Sequence, residues 1–222
     1  MKISIIIPFY NEEENVQAVI DEVKRANPDA EIIAVNDGST DATAQKLAAQ
    51  TDIRVISFPR NLGQSAALYE GLNTATGDVC VMMDGDGQND PADISELVKR
   101  VGERNLVCGY RRKRHDSWKR KLASRVANAI RNAILHDGAR DTGCTLKAMR
   151  REHVRLLIPF NGLHRFIPAI LSSAGLSIVE VPVNHRPRRA GQSKYTIGGR
   201  ALRGILDLVG MRWFLKRQIH WP

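Results

Sequence analysis

The first half of the chain alternates near-continuous apolar runs with stretches whose apolar residues have helical spacing. Buried strands are predicted at 3–7, 31–36, 53–58, 79–83 and, more briefly, 106–109. Helices are predicted at 11–26, 41–50, 64–74 and 91–104. Short apolar strands separated by helices of this kind are typical of a parallel sheet covered on both faces. The sequence therefore predicts an α/β fold, a Rossmann-like, mostly parallel sheet in which Pro8 ends the first strand and Asn11 caps the first helix.

Beyond residue 110 the pattern becomes basic and less regular. Helices are predicted at 117–135, 151–158 and 162–174, strands at 145–149 and 177–183, and a basic loop at 185–194. We expect one domain over residues 1–197, followed within 198–222 by a basic amphipathic helix at 198–217. Such a helix, with Trp213 and Phe214 on its apolar side, suits a bilayer interface. Packing against its own domain or a partner subunit explains the pattern equally well.

Charge is divided unequally along the chain, although the net charge is +9. Residues 1–104 hold 9 Lys and Arg against 18 Asp and Glu, whereas residues 105–222 hold 24 against 6. A division this large indicates two surfaces with different partners. The basic half could face a polyphosphate, an anionic bilayer or nucleic acid. Because aromatic residues are only 5% of the chain and no nucleic-acid motif occurs, we expect no nucleic-acid partner.

The cysteines and the start of the chain bear on its compartment. Cys80, Cys108 and Cys144 are widely spaced in apolar or small surroundings, which is typical of reduced thiols in a cytosolic protein. No uncharged apolar stretch reaches the length of about 18 residues that a membrane span needs. The strand pattern that begins at Ile3 leaves no room for a signal peptide. We therefore expect a cytoplasmic protein.

Polar clusters follow three of the predicted strands, at residues 8–12, 36–41 and 84–88. Open α/β sheets bind ligands beyond the carboxyl ends of their strands, so we expect the three clusters to converge on one edge. Asp84 and Asp86, separated by a single glycine, offer the hard oxygen ligands that Mg²⁺ or Mn²⁺ shares with a diphosphate. An acidic turn that only caps the strand is the alternative.

Taken together and in order, segments 5–12, 35–41, 84–88 and 188–195 resemble the inverting family 2 glycosyltransferases. The resemblance is to the dolichyl- or polyprenyl-phosphate branch, similar to dolichol-phosphate mannosyltransferases, and runs from residue 3 to about 197. It implies a glycosyltransferase-A fold and a catalytic domain. It also implies transfer of a sugar from a UDP- or GDP-linked donor to undecaprenyl or dolichyl phosphate, with inversion and with Mg²⁺ or Mn²⁺ as cofactor.

The same resemblance implies the site residues. The nucleotide-sugar site would be lined by Pro8, Tyr10, Glu12, Asp37, Asp84, Gly85, Arg111 and Arg120. The metal would be held by Asp84, Asp86 and Gln88. The acceptor phosphate would be bound by Arg188, Ser193 and Lys194. Catalysis would rest on Asp86, Arg188 and Lys194. Plainer alternatives are an Asx turn at Asp37, a first-turn helix carboxylate at Glu12, a solvated basic face for the two donor-site arginines and a generic basic surface loop at 188–194.

A polyprenyl phosphate is already anionic at neutral pH, since the second pKa of such phosphates is about 6. The resemblance therefore implies that no strong general base is needed. His164 lies roughly where relatives with hydroxyl acceptors carry an acidic base, and it could orient a phosphate, act as a base or have no role.

Two other functions stay open at this point. One is a family 2 transferase acting on a glycan or lipid hydroxyl in cell-envelope polysaccharide or glycolipid synthesis. The other is a non-catalytic module that binds sugar nucleotides or membranes. For the transferase we expect a peripheral position at the inner face of the cytoplasmic membrane, where it could meet a membrane-embedded partner protein.

Overall fold

The strands and helices follow the predicted alternation closely. The computed structural model describes residues 1–111, 128–187 and 198–218. Its strands are β1 (Ile3–Phe9), β2 (Glu31–Asn36), β3 (Arg54–Ser57), β4 (Val79–Met82), β5 (Asn105–Arg111), β6 (Lys147–Arg150) and β7 (Ser177–Val183). Its α-helices are α1 (Val16–Ala26), α2 (Thr43–Ala48), α3 (Gln64–Thr74), α4 (Ile94–Val98), α5 (128–135), α6 (Leu163–Ser173) and α7 (Gly198–Leu215). Short 3-10 helices lie at Pro91–Asp93 and Arg151–Leu156.

These strands form one sheet in the order β3-β2-β1-β4-β6-β5-β7. Neighbouring strands are parallel except at β6, which is antiparallel to both β4 and β5. The carboxyl ends of the six parallel strands therefore share one edge of the sheet with the amino end of β6. This arrangement confirms the predicted mostly parallel sheet.

Both faces of the sheet are covered, because alternate side chains of each strand point to opposite faces. In β1, Ile5 and Ile7 pack with α1, α2 and α4 in one core. Ile6, between them, packs with α3 and α6 in the other. A strand buried on both faces needs apolar residues at consecutive positions, which is the pattern that the sequence has.

Pro8 does not end the first strand, contrary to prediction. β1 continues to Phe9 and keeps its pairing with β2. Its pairing with β4 stops at Ile6 and Met82. A proline is tolerated there because the neighbouring strand that would have accepted its missing N–H has already ended.

Asn11 does not cap the first helix, which was also predicted wrongly. α1 begins only at Val16, with Asn15 at the N-cap position and no acidic residue in its first turn. Asn11 instead adopts a left-handed backbone with φ of 50°, and its Oδ1 accepts the N–H of Thr40 at 2.7 Å. Its amide group joins the two loops that follow β1 and β2.

Two further helices are shorter than predicted. The stretch 91–104 forms only a 3-10 helix and α4, which ends at Val98. Beyond that end, Gly102 donates its N–H to Asn105 Oδ1 at 2.9 Å. Of the stretch 151–158, only Arg151–Leu156 is helical, and it forms a 3-10 helix. The first part of the helix predicted over 117–135 lies outside the described residues.

Glu31 ties the amino-end side of the sheet together. Its Oε2 accepts the hydroxyl of Ser4 at 2.5 Å and the N–H of Thr76 at 2.8 Å, and Arg54 lies 3.8 Å away. Burial raises the pKa of Glu31, but the hydrogen bonds from Ser4 and Thr76 and the charge of Arg54 outweigh it, so the pKa lies below its usual value. The ionised carboxylate therefore stabilises the fold.

α7 has two different faces among its described side chains. Leu208 and Met211 are buried in the same core as α6. Leu206, Val209 and Trp213 point away from the domain and are 63%, 60% and 61% exposed. None of the described helices combines the length and the apolar character needed to cross a bilayer.

Candidate active site

The polar clusters that follow β1, β2 and β4 meet at the carboxyl edge of the sheet. The N–H of Asp37 donates to Phe9 O at 2.8 Å. Gly85 lies so close to β1 that a Cβ atom there would be 2.7 Å from the carbonyl oxygen of Pro8. The predicted convergence of these clusters is confirmed.

Residues 84–90, called the carboxylate loop, follow β4 and are shaped by hydrogen bonds within the loop and from Gln64. The N–H of Asp84 donates to Asn89 Oδ1 at 3.0 Å, and Asp84 Oδ1 accepts the side-chain amide of Gln64 at 2.8 Å. The N–H of Gln88 donates to Asp86 Oδ1 at 3.1 Å. The loop thus turns back on itself and holds both carboxylates at the mouth of β4.

The electrostatics of this pair suit a divalent cation. Burial raises the pKa of Asp84 to about 6, and the charge of Asp86 adds to that effect. A hydrogen bond from Thr145 and the positive charges of Lys147 and Arg111 act in the opposite direction. Two neighbouring carboxylates supply hard oxygens of the kind that Mg²⁺ and Mn²⁺ prefer. The described residues contain no group of three or more His, Cys, Asp or Glu that could hold a metal by itself, so substrate oxygens and water would complete the coordination.

Gln88 faces the segment that follows β7. Its Nε2 lies 3.4 Å from Arg186 O and 3.5 Å from His185 Nε2. Asn89 and His185 form an isolated antiparallel bridge. Gln88 therefore connects the carboxylate loop to the segment 184–187, and its role as a metal ligand stays a prediction.

Four of the predicted site residues lie outside the described part of the chain: Arg120, Arg188, Ser193 and Lys194. The segment 184–187, which leads directly to the last three, is described. Because Gln88 and Asn89 contact segment 184–187, the residues immediately before the predicted acceptor loop lie beside the carboxylate loop.

Asp37 organises the loop before α3. The residue is 3% exposed. Its Oδ1 accepts the N–H of Leu62 at 2.7 Å, its Oδ2 accepts the N–H of Gly63 at 3.0 Å, and Oδ2 also accepts the side-chain amide of Asn61 at 2.9 Å. Burial raises the pKa of Asp37 against the effect of these hydrogen bonds. The carboxylate holds a distant loop and forms no Asx turn, and its role in nucleoside binding stays a prediction.

Glu12 and Tyr10 lie just past β1. Glu12 is buried; its N–H donates to Thr43 Oγ1 at 2.8 Å and its Oε2 accepts the amide of Asn15 at 2.5 Å. It therefore lies in the turn before α1 and not in the first turn of that helix. Tyr10 is half-buried at the end of β1. Their predicted contacts with the nucleoside stay predictions.

Arg111 forms a two-pronged ion pair with Asp141. Nε donates to Oδ2 at 2.7 Å and Nη2 donates to Oδ1 at 2.8 Å. Both side chains are largely buried, so the alternative of a solvated basic face is wrong for Arg111. Asp141 fixes the plane of a guanidinium at the carboxyl end of β5, which is where a phosphate-binding arginine would be useful.

Lys147, the first residue of β6, was not predicted as a site residue. It is 2% exposed, lies in register between Met82 and Cys108, and donates from Nζ to Cys144 O. A single lysine in an apolar run gave no signal of a buried cation. Only the antiparallel insertion of β6 brings its positive charge close to the carboxylate pair.

The three cysteines are buried and form no disulfide. Burial raises the pKa of Cys80 and of Cys108 to about 12, and that of Cys144 to about 11. They are therefore buried core thiols without a disulfide, which agrees with the prediction.

His164 lies at the start of α6, beside the start of α3. Its Nδ1 is 2.8 Å from Ser65 Oγ, which also accepts the N–H of Gly162 at 3.0 Å. Ser65 directly follows Gln64, whose amide binds Asp84. His164 thus contacts Ser65, and the residue before Ser65 on α3, Gln64, contacts Asp84 of the carboxylate loop.

Residues 4–157 match the family described as glycosyl transferase family 2. The chain belongs to this family. In three dimensions it is similar to glucosyl-3-phosphoglycerate synthase from Mycobacterium tuberculosis in complex with phosphoglyceric acid, with a TM-score of 0.74, 24% identity, and coverage of 100% of this chain and 87% of that one. The same enzyme with Mn²⁺, UDP-glucose and phosphoglyceric acid gives a TM-score of 0.74 at 23% identity, covering 100% and 86%. At this identity the likeness shows the fold alone, and the predicted glycosyltransferase-A fold is confirmed.

Curated relatives belong to the branch that the motifs predict. A dodecaprenyl-phosphate galacturonate synthase from Rhizobium johnstonii is 36% identical over 230 residues, covering 97% of this chain and 68% of the relative. An undecaprenyl-phosphate 4-deoxy-4-formamido-L-arabinose transferase from Proteus mirabilis is 35% identical over 205 residues, covering 88% and 63%. The chain thus spans 63–68% of the length of these two relatives.

Proposed function

We propose that this family 2 glycosyltransferase moves a sugar from a nucleotide-diphosphate sugar to a polyprenyl phosphate, with inversion at the anomeric carbon. The observation that carries the proposal is the contact between two elements. The carboxylate loop at 84–90 suits a cation and a diphosphate. The segment 184–187 attached to it precedes the basic residues 188–194 in the sequence, which would suit an acceptor phosphate. The names of the curated relatives support the same acceptor.

On the donor side, Asp84 and Asp86 would hold Mg²⁺ or Mn²⁺. The bound ion would neutralise charge that develops on the departing nucleoside diphosphate. Arg111, oriented by Asp141, would bind a phosphate oxygen from the β5 side with a fixed guanidinium. Pro8, Tyr10, Glu12 and Asp37 would line the nucleoside pocket, with Asp37 acting through the loop at 61–63.

On the acceptor side, Arg188, Ser193 and Lys194 would bind and aim the phosphate. Because the phosphate is already anionic at neutral pH, the site needs positioning and charge stabilisation more than a strong base. A second candidate function is transfer to a hydroxyl acceptor. The contact between His164 and Ser65 favours it, since an imidazole held near the carboxylate loop could accept a hydroxyl proton.

The exposed face of α7 would lie at the inner surface of the cytoplasmic membrane. Leu206, Val209 and Trp213 form its apolar part. Lys216 and Arg217 are exposed beside it, with the Arg217 guanidinium 5.1 Å from the centre of the Trp213 ring. Apolar side chains flanked by cations suit an anionic bilayer surface. The same face is the place where a membrane-embedded partner protein would bind.

The test is a transfer assay with the purified protein. A panel of UDP- and GDP-sugars would be incubated with Mn²⁺ and either undecaprenyl phosphate or undecaprenol. We expect a sugar-linked lipid phosphate whose anomeric configuration, measured by NMR, is opposite to that of the donor. Asp86→Ala should lower turnover by at least about 100-fold, since a bound cation supplies several kcal/mol of charge stabilisation.

Asp29→Ala is the matched control, because Asp29 is an exposed acid in the turn after α1. It should transfer sugar like the wild type. Turnover of undecaprenol in place of the phosphate would favour the hydroxyl-acceptor function. Full activity of Asp86→Ala would contradict the role given to the carboxylate pair.

A further inference from the structure

The segment 184–187 is fastened to the carboxylate loop through its backbone. The N–H of Arg186 donates to Gln88 O at 2.9 Å, and the side-chain amide of Gln88 donates back to Arg186 O at 3.4 Å. The bridge between Asn89 and His185 extends this pairing by one residue. An isolated antiparallel bridge and the side-chain amide of Gln88 thus join the two segments beside the proposed metal site.

A second set of contacts involves the residue before this bridge. The N–H of Asn184 donates to Asp93 Oδ2 at 2.7 Å, and its side-chain amide lies 3.4 Å from Asp93 Oδ1. The chain is therefore attached to the 3-10 helix at Pro91–Asp93 as soon as it leaves β7.

The Arg186 side chain adds a link to a third element. Its Nη1 donates to Glu22 Oε2 of α1 at 2.7 Å, and its Nη2 lies 2.9 Å from Asp90 Oδ1, at the end of the carboxylate loop. Asp90 Oδ1 also accepts the N–H of Ala92 and so caps the 3-10 helix. A planar guanidinium suits two carboxylates at fixed directions, which a single ammonium cannot match.

These contacts separate Arg186 from the other basic residues of its loop. Sequence alone places it in the basic stretch 185–194, in which the family resemblance gives the acceptor phosphate to Arg188, Ser193 and Lys194 and gives Arg186 no role. In the structure its guanidinium is engaged by Glu22 and Asp90. It is thus committed to protein carboxylates, and lies only two residues before Arg188.

We propose that Arg186 is a positioning residue that fixes segment 184–187, which immediately precedes the predicted acceptor residues, against the carboxylate loop. The inference rests on the proposed function for the identity of the acceptor. A displacement of about 1 Å at a reacting group can cost about 100-fold in rate. Loss of Arg186 should therefore impair use of the acceptor far more than binding of the donor.

The kinetic test compares three variants. At saturating donor and Mn²⁺, Arg186→Ala should raise the KM for undecaprenyl phosphate about tenfold or more, within the range expected for misplaced groups, and leave the affinity for UDP and Mn²⁺ close to that of the wild type. The KM of Arg186→Lys for undecaprenyl phosphate should lie between those of the wild type and Arg186→Ala, because an ammonium can replace only one of the two ion pairs well. Arg100→Ala is the control: Arg100 pairs with Glu96 at 2.8 Å on the exposed end of α4 and lies away from the site.

A merely structural role would lower the thermal midpoint and weaken donor and acceptor use alike. That result, or acceptor kinetics of Arg186→Ala equal to those of Arg100→Ala, would overturn the proposal.

A second measurement does not depend on the acceptor. Hydrogen exchange at the amides of residues 184–186 should be slow in the wild type and slower still with UDP and Mn²⁺. In Arg186→Ala it should be fast with or without these ligands. If the wild type uses no polyprenyl phosphate, the proposed function fails, and the exchange data still decide the role of Arg186. Unchanged exchange in Arg186→Ala would refute the fixing of segment 184–187 by Arg186.

Discussion

An alanine at position 85 should displace the carboxylate loop from β1. The added Cβ would lie 2.7 Å from the carbonyl oxygen of Pro8 and 2.7 Å from Cδ1 of Phe9. The first of these atoms belongs to the backbone of β1, and Phe9 is completely buried. Neither can move aside without disturbing β1, so the loop itself must shift.

The cost can be estimated from the packing. Forcing an extra methyl group into a well-packed site destabilises a protein by about 1–3 kcal/mol, and for a chain of this size each kcal/mol lowers the thermal midpoint by about 2–4 °C. We therefore expect Gly85→Ala to melt roughly 2–12 °C below the wild type. Because Asp84 and Asp86 flank the substituted residue, stabilisation by Mn²⁺ with UDP should also decrease.

The assay is thermal unfolding followed by circular dichroism, with and without Mn²⁺ and UDP. Gly210→Ala provides the control, since a Cβ there meets no atom within 4 Å and Gly210 lies inside α7. In a helix, alanine is favoured over glycine by about 0.5–1 kcal/mol, so this variant should be at least as stable as the wild type. The reasoning fails if Gly85→Ala melts together with Gly210→Ala and keeps the full stabilisation by Mn²⁺ and UDP.

Three further predictions concern single carboxylates. Asp37→Asn presents an NH₂ group to the N–H groups of the loop at 61–63. The free energy of unfolding, measured with denaturant, should therefore fall by about 1–3 kcal/mol. An unchanged denaturation midpoint would contradict the role of Asp37 in holding that loop. Glu31→Gln should be less stable than the wild type at neutral pH. Because the folded-state pKa of Glu31 is lowered, the difference should vanish as the pH falls through that lowered value, and a gap constant with pH would refute the assignment. Asp141→Ala should lower donor kcat/KM by about 10-fold or more, since it frees the Arg111 guanidinium, and normal donor kinetics would exclude the positioning role.

Much of the fold followed from patterns that act locally. The consecutive apolar residues of β1 require a strand covered on both faces, and this requirement holds whichever helices supply the cover. The clusters after β1, β2 and β4 share one edge because parallel strands end on the same side. Asp84 and Asp86 could be named as a candidate pair for the same reason: both follow a single strand, so their proximity needs no knowledge of the rest of the chain.

Other features depended on contacts between distant parts of the chain. Asn11 looked like a helix cap, but its amide bonds the loop after β2. Asp37 looked like a free acceptor for a ligand, but it binds N–H groups some 25 residues further on. Arg186 was only part of a basic stretch with no predicted role, but it pairs with Glu22, 164 residues earlier. Local spacing carries no information about such partners.

The amino-acid sequence by itself determined the layered α/β architecture, the family and the pair of carboxylates at the end of β4, because hydrophobic periodicity and short motifs act over a few residues. Tertiary structure alone decided which side chains surround that pair. The antiparallel insertion of β6 beside β4 brings the buried Lys147 and the turn before it to the same edge, and the return of the chain after β7 places Arg186 against the carboxylate loop. Strand order and chain reversal join residues far apart in the sequence, and that joining is what assembles the candidate site.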